Sequence, residues 1–218
     1  EPLLQFLVWF EKLLINSPWP VVIGVIAFLT WKASKKLTLV AGTVFAFVMI
    51  GLFGMWKDTM STLAIISVAT FLCLVIGTPI GILMAKSNSA STLVSPVLDT
   101  MQTIPTFVYL VPIIMLLGIG KVPGLIAVCV YAVPPIVRLT NLGIREVNSR
   151  LVEAGKALGL SKLVILYRIE FPLALPSIMT GVNQTIMMSL SMVVIASMIG
   201  VSGLGLPILR SISNQYLA

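Results

Sequence analysis

Residues 60–85 read MSTLAIISVATFLCLVIGTPIGILMA, a run without a single charged side chain. A helix needs about 20 apolar residues to cross the hydrocarbon core of a bilayer, and this run exceeds that without a break. Working outward from it, comparable stretches occupy roughly 18–31, 37–55, 97–118, 122–138 and 174–201. The composition agrees: 58% of the 218 residues are hydrophobic and 10% are charged, with a mean hydropathy of +1.10. A soluble domain carries about 25% charged residues, so lipid must solvate much of this surface. The fold class that follows is an all-α polytopic membrane protein with about six spans.

Ahead of the spans, Leu3, Phe6, Leu7, Phe10 and Leu14 share one helical face, with Glu11 and Lys12 off it. That pattern predicts a helix lying in the membrane interface. The next stretch is short and has Trp19 and Trp31 at its ends, as interfacial belts do. Pro79, Pro105, Pro112, Pro134 and Pro135 fall inside apolar runs, which membrane helices tolerate because neighbours satisfy the freed carbonyls. Glu1-Pro2-Leu3 is not a basic leader, so no cleaved signal peptide is expected, and a start part-way into a longer chain is.

The net charge of +7 is that of a membrane protein whose cytoplasmic loops are basic rather than of a nucleic-acid binder. The segments at 32–36, near 86 and at 138–172 hold Lys32, Lys35, Lys36, Lys86, Arg138, Arg145, Arg150, Lys156, Lys162 and Arg168. The other side holds Lys12, Lys57, Lys121 and Arg210. Ten against four places the long 138–172 loop in the cytoplasm and the N-terminus outside. Cys73 and Cys129 lie within apolar runs and read as small packing residues. The chain has no histidine, which removes histidine-based catalysis and metal binding. No Gly-x-x-x-x-Gly-Lys-Ser/Thr string is present, so no phosphate-cradling loop of its own is expected and energy must arrive through a partner. No acidic residue stands mid-span (Asp99 is placed near a helix start), which argues against proton coupling.

The 149–176 segment carries the most information. Asn148 or Ser149 can cap a helix, and Glu153 is placed in its first turn, where the dipole favours a carboxylate. Leu151, Ala154, Gly155 and Leu158 recur on one face, and Gly159 offers a left-handed stop. A helix over 150–159 with a small-residue face follows, too short to stand alone and therefore packed on something. Glu153-Ala154-Gly155, Gly159 and the later Phe171-Pro172-Leu173-Ala174-Leu175-Pro176 resemble the EAA loop of ABC importer permeases.

The resemblance narrows with Asp99-Thr100-Met101-Gln102-Thr103-Ile104-Pro105-Thr106-Phe107, with Gly181-Val182-Asn183-Gln184-Thr185-Ile186-Met187-Met188, and with Gly203-Leu204-Gly205. These are similar to the glycine betaine/proline betaine importer permease family, from about residue 54 to the end. The resemblance implies a type I importer permease fold like that of the methionine importer, without catalytic residues. It implies residues 1–56 as an interfacial helix with two extra spans and 57–218 as the permease core. Within that core the coupling loop covers 139–175, and a final span would follow Ala218. It also implies coupling to an ATPase through Arg150, Glu153, Ala154, Gly155, Lys156 and Gly159. Implied partners are a second permease copy, two ATPase subunits that bind the ATP and Mg, and an outer substrate-binding protein, in a bacterial inner membrane.

Span polarity and the matched motifs nominate Gln102, Thr103, Phe107, Asn183, Gln184 and Met188 as pathway residues. Interhelical hydrogen bonding remains the alternative role for such polar groups. No cofactor or metal is expected in this chain, and its scattered aromatics suggest no cation cage. Two other functions stay open. One is a permease for another small solute, such as an amino acid; the other is an ATP-independent transporter or channel.

Overall fold

The computed structural model describes residues 2–197 and 200–213, with the side chains of Pro2, Leu3 and Ser213 left out. All regular structure among these residues is helical. The helices are α1 (Pro2–Asn16), α2 (Trp19–Ser34), α3 (Leu37–Leu52), α4 (Trp56–Lys86), α5 (Asn88–Thr103), α6 (Thr106–Leu117), α7 (Lys121–Arg145), α8 (Ser149–Ala157), α9 (Lys162–Ile165), α10 (Phe171–Ala196) and α11 (Gly205–Ser213). A π-helical turn, Leu166–Glu170, joins α9 to α10.

Three of the six apolar stretches form helices long and apolar enough to cross a membrane: α4, α7 and the continuous Lys162–Ala196 rod. At 31 residues and 1.5 Å per residue, α4 is about 46 Å long. The 16 residues of α3 give about 24 Å, short of the hydrocarbon thickness of about 30 Å. The 97–118 stretch is not one straight span. It is split into α5 and α6, which meet at 95°. The cause is local: Ile104, preceding Pro105, is held extended at ψ 129°, because the proline ring disfavours helical backbone before it. Pro79, Pro112, Pro134 and Pro135 instead lie within continuous helices. A second elbow, 104° between α1 and α2, falls at Ser17-Pro18. The 174–201 stretch is helical to Ala196; Met198 and Ile199 lie outside the described residues.

The long loop expected at 138–172 is mostly helix. α7 continues to Arg145, α8 follows after three residues, and α9 starts the rod that becomes α10. Asp99 does not sit near a helix start either: α5 begins at Asn88, leaving Asp99 in its second half, paired with Arg138 of α7.

By internal packing the described chain forms two compact units, interleaved along the sequence. One comprises Glu1–Val68, Ile119–Gly124 and Val193–Ala218; the other comprises Ala69–Gly118 and Leu125–Met192. In the first, Leu7, Met60, Ala64, Ile65 and Val201 are fully buried. Here the buried face of α1 differs from the expected one. Glu11 stands one turn after Leu7 on the buried face and is itself 5% exposed, whereas Phe6 is 48% exposed. The Glu11 carboxylate accepts a hydrogen bond from Ser61 Oγ at 2.8 Å and pairs with Lys121, which explains how a charge can face inward.

In the second unit Cys73, Ala132, Ile136, Ile144, Ala174 and Ile178 form the main cluster, and Met84, Leu98 and Val137 a smaller one. α7 lies between α4 and α10 because glycines let the backbones approach. A Cβ on Gly77 would fall 2.5 Å from Ile136 Cγ2, one on Gly81 2.7 Å from the Val137 carbonyl, and one on Gly143 2.7 Å from Ser177 Cβ. Such small-residue contacts substitute for the hydrophobic driving force that lipid removes. Both cysteines are free and sit in this packing, with Cys73 Sγ 3.6 Å from the Cys129 carbonyl oxygen.

Candidate coupling helix and pathway residues

The nine residues of α8 are fixed at both ends by their own sequence. Asn148 caps the start, its side-chain oxygen accepting the Arg150 N–H at 3.0 Å. At the other end Gly159 adopts φ +75°. The Gly159 N–H then reaches the Lys156 carbonyl at 2.9 Å, and the Leu160 N–H reaches Gly155 at 3.1 Å. These paired bonds are a Schellman stop, which needs the left-handed residue that glycine supplies most readily. Glu153 is not in the first turn, because α8 starts at Ser149, so the dipole gives it no special stabilisation.

The predicted small face splits in two. Gly155 is buried against the chain itself, where a Cβ would lie 2.8 Å from Ile169 Cδ1 and 3.4 Å from Ile165 Cγ1. Arg150, Glu153, Ala154, Lys156 and Gly159 are exposed. Leu151 is 46% and Leu158 80% exposed. Leu151, Ala154 and Leu158 therefore form an outward face, and Gly155 is the foot on which α8 stands. No Cβ at Gly159 would meet anything within 4 Å, so its conformation, not close contact, demands glycine.

What α8 stands on is anchored by charge. Glu170 ends the π-turn, is 5% exposed, and pairs with Lys86 at the end of α4. The Phe171 N–H bonds the Leu166 carbonyl five residues back. Pro172 next to it has no N–H to continue an ordinary ladder. Arg145, at the end of α7, donates to the Met84 carbonyl at 2.7 Å and to Asn141 Oδ1 at 2.9 Å. Sequence reasoning missed Glu170 and Lys86 as a pair. Glu170 stands directly before Phe171-Pro172, but its partner is 84 positions away. Lys86, Val152, Lys156, Lys162, Leu166 and Glu170 border an open groove of about 430 Å³ beside α8.

Of the nominated pathway residues, Gln102 and Thr103 end α5 and Phe107 is in the first turn of α6, so all three flank the 95° elbow, each exposed in this single chain. Asn183 and Gln184 are exposed on α10. Met188 is half-buried and packs on the Cys73–Ile136–Ile178 cluster instead. On the buried side of α10, the Thr185 and Ser189 hydroxyls, one turn apart, have no hydrogen-bond partner among the described residues. Among the described residues no group of three His, Cys, Asp or Glu could hold a metal.

Residues 77–218 of this helical chain match the family described as the binding-protein-dependent transport system inner membrane component. The chain belongs to that family. It is 49% identical over 205 residues to the glycine betaine/proline betaine transport system permease protein ProW of Escherichia coli K12, covering 94% of this chain and 58% of that one. It is 45% identical over 190 residues to the glycine betaine/carnitine transport permease protein GbuB of Listeria monocytogenes, covering 86% and 67%. The chain thus spans little more than half the length of ProW. The fold resembles the inward-facing MetNI methionine ABC transporter, with a TM-score of 0.65 at 25% identity, covering 72% of this chain and 80% of that one.

Proposed function

We propose that this chain is the membrane permease subunit of an ATP-driven importer that moves a betaine-like solute into a bacterial cytoplasm. Alternating access is coupled to ATPase subunits through α8. The observation that carries the coupling is the mounting of α8: capped at both ends, footed on Gly155, braced by Lys86–Glu170, and presenting Leu151, Ala154 and Leu158 outward. A rigidly held helix can pass a partner's motion on to the spans.

The substrate class rests on relatives named for glycine betaine, proline betaine and carnitine. An amino-acid substrate is the second reading, favoured by the likeness to the methionine transporter. Sequence identity is far higher to the betaine permeases, which supports the betaine-like reading over the second.

The complex would hold two permease copies around a two-fold axis. Two ATPase subunits with their ATP and Mg would sit on the α8 side and a binding protein on the outside, with the N-terminus outside. Residues 1–56 would be an addition to the permease core. Gln102, Thr103, Phe107, Asn183 and Gln184 would line the pathway, and Met188 would set its wall from behind.

The test is uptake by proteoliposomes holding the full complex, offered labelled glycine betaine, choline, carnitine and methionine. ATP-dependent accumulation of a betaine-like compound supports the reading. Methionine accumulation favours the second reading, and uptake without internal ATP defeats both.

A further inference from the structure

A helix that merely floats at the interface has no use for a buried carboxylate, yet α1 keeps one. Glu11 is 5% exposed, and both its oxygens are engaged. One accepts from Ser61 Oγ of α4 at 2.8 Å, and the other pairs with Lys121, the first residue of α7. On α4 the next residue, Thr62, makes a second tie: its hydroxyl oxygen accepts the Leu204 N–H at 2.9 Å. Ser61 and Thr62 thus hold α1 and the 203–204 loop side by side on α4. The chain reaches Lys121 through Gly118, at φ +79°, and Gly120, and a Cβ at either would meet nothing within 4 Å. The first turn of α7 is packed as well, with Pro123 and Gly124 buried and no room for a Cβ on Gly124 beside Val201 Cγ2, and the ion pair adds a polar tie at Lys121.

We infer that Glu11 is a positioning residue, a latch that ties α1 and the start of α7 to α4 and makes α1 a working part of the transporter rather than a membrane anchor. The inference rests on the transport reading for its activity readout, but not for its binding energetics. Breaking a buried pair from one side leaves the other charge uncompensated, and removing both relieves that. The two sides differ. Lys121 is 26% exposed and can turn to water, whereas the Glu11 side chain is 7% exposed and cannot.

The experiment compares Glu11→Gln, Lys121→Gln, the double Gln variant and the reversed pair Glu11→Lys/Lys121→Glu in the reconstituted complex. Uptake per folded transporter and the melting temperature are both measured. Lys121→Gln should lower uptake on the order of tenfold and more than Glu11→Gln does. The double and reversed variants should return to within about twofold of the parent, the signature of coupled sites. Additive losses with no recovery overturn the latch. So does a lowered melting temperature with uptake per folded transporter unchanged, which would make α1 an anchor only. If the parent complex transports none of the offered solutes, the transport reading fails instead, and the non-additivity of melting temperatures still decides whether the pair couples.

Discussion

α1 and α8 are both short amphipathic helices, and each turns a different kind of residue inward from the one its pattern suggests. In α8 the charged residues stay outside and a glycine faces the chain. In α1 a glutamate faces the chain and much of the aromatic surface is left outside, with Trp9 59% and Phe6 48% exposed. Periodicity says that a helix has two faces. What meets each face is decided by the partner: Ile165 and Ile169 leave room for no more than a hydrogen at Gly155, and Lys121 with Ser61 make room for a carboxylate. Side-chain polarity is thus a poor guide to inward orientation wherever a buried counter-charge or a close backbone approach exists.

The contrast can be broken or sharpened by substitution. The largest effect is expected at Lys86→Ala, which strands the buried Glu170 carboxylate beneath α8. Losing one partner of a buried pair typically costs about 3–5 kcal/mol. Because Lys86 is 43% exposed, the lower end of about 3 kcal/mol applies. It should appear as a lower melting temperature and faster proteolysis within 146–170, and Glu170→Gln in the same chain should recover part of the loss.

Gly155→Val comes next. Its side chain would collide with Ile169 Cδ1, and overpacking of this kind typically costs about 1–3 kcal/mol. Hydrogen exchange along α8 should rise while the rest of the bundle keeps its protection. Smallest is Glu153→Gln. Glu153 is exposed, and surface substitutions of this kind stay within about 0.5 kcal/mol. Thermal melting should not resolve it from the parent chain, and a clear destabilisation would mean that Glu153 has a structural partner.

How much was legible in the sequence follows from the range of each interaction. The Asn148 cap, the Gly159 stop and the Pro105 break act over a few residues, and their chemistry can be read in place. The apolar runs announced three span-length helices for the same reason, while α3 is short, α2 is half of a bent pair and the bend at Pro105 splits another expected span into two helices. The loop expected at 138–172 hid its helices because basic residues at span ends look like loop residues until their partners are known. Arg145 at the end of α7 and Lys86 at the end of α4 are held by the Met84 carbonyl and Glu170. Pairs such as Glu11–Lys121, 110 positions apart, leave no local trace. Among the pathway nominees, the 102–107 elbow was marked by its proline, while the inward turn of Met188 depends on α4 and α7 residues that no α10 pattern encodes.

The central claim is that the outward face of α8 engages an ATPase, and Leu158 tests it most directly. Gly159 serves less well, since any side chain there is strained by its φ of +75° whether or not a partner docks. Leu158 is 80% exposed, so Leu158→Asp should leave the permease itself intact. The measurement is substrate-stimulated ATP hydrolysis by the reconstituted complex, with co-purification of the ATPase recorded in the same preparation. The account predicts a permease with unchanged melting temperature that retains little ATPase and loses stimulation by on the order of tenfold or more, as truncation or charge at a packed interface residue does. Full ATPase retention and unchanged stimulation in Leu158→Asp would contradict it.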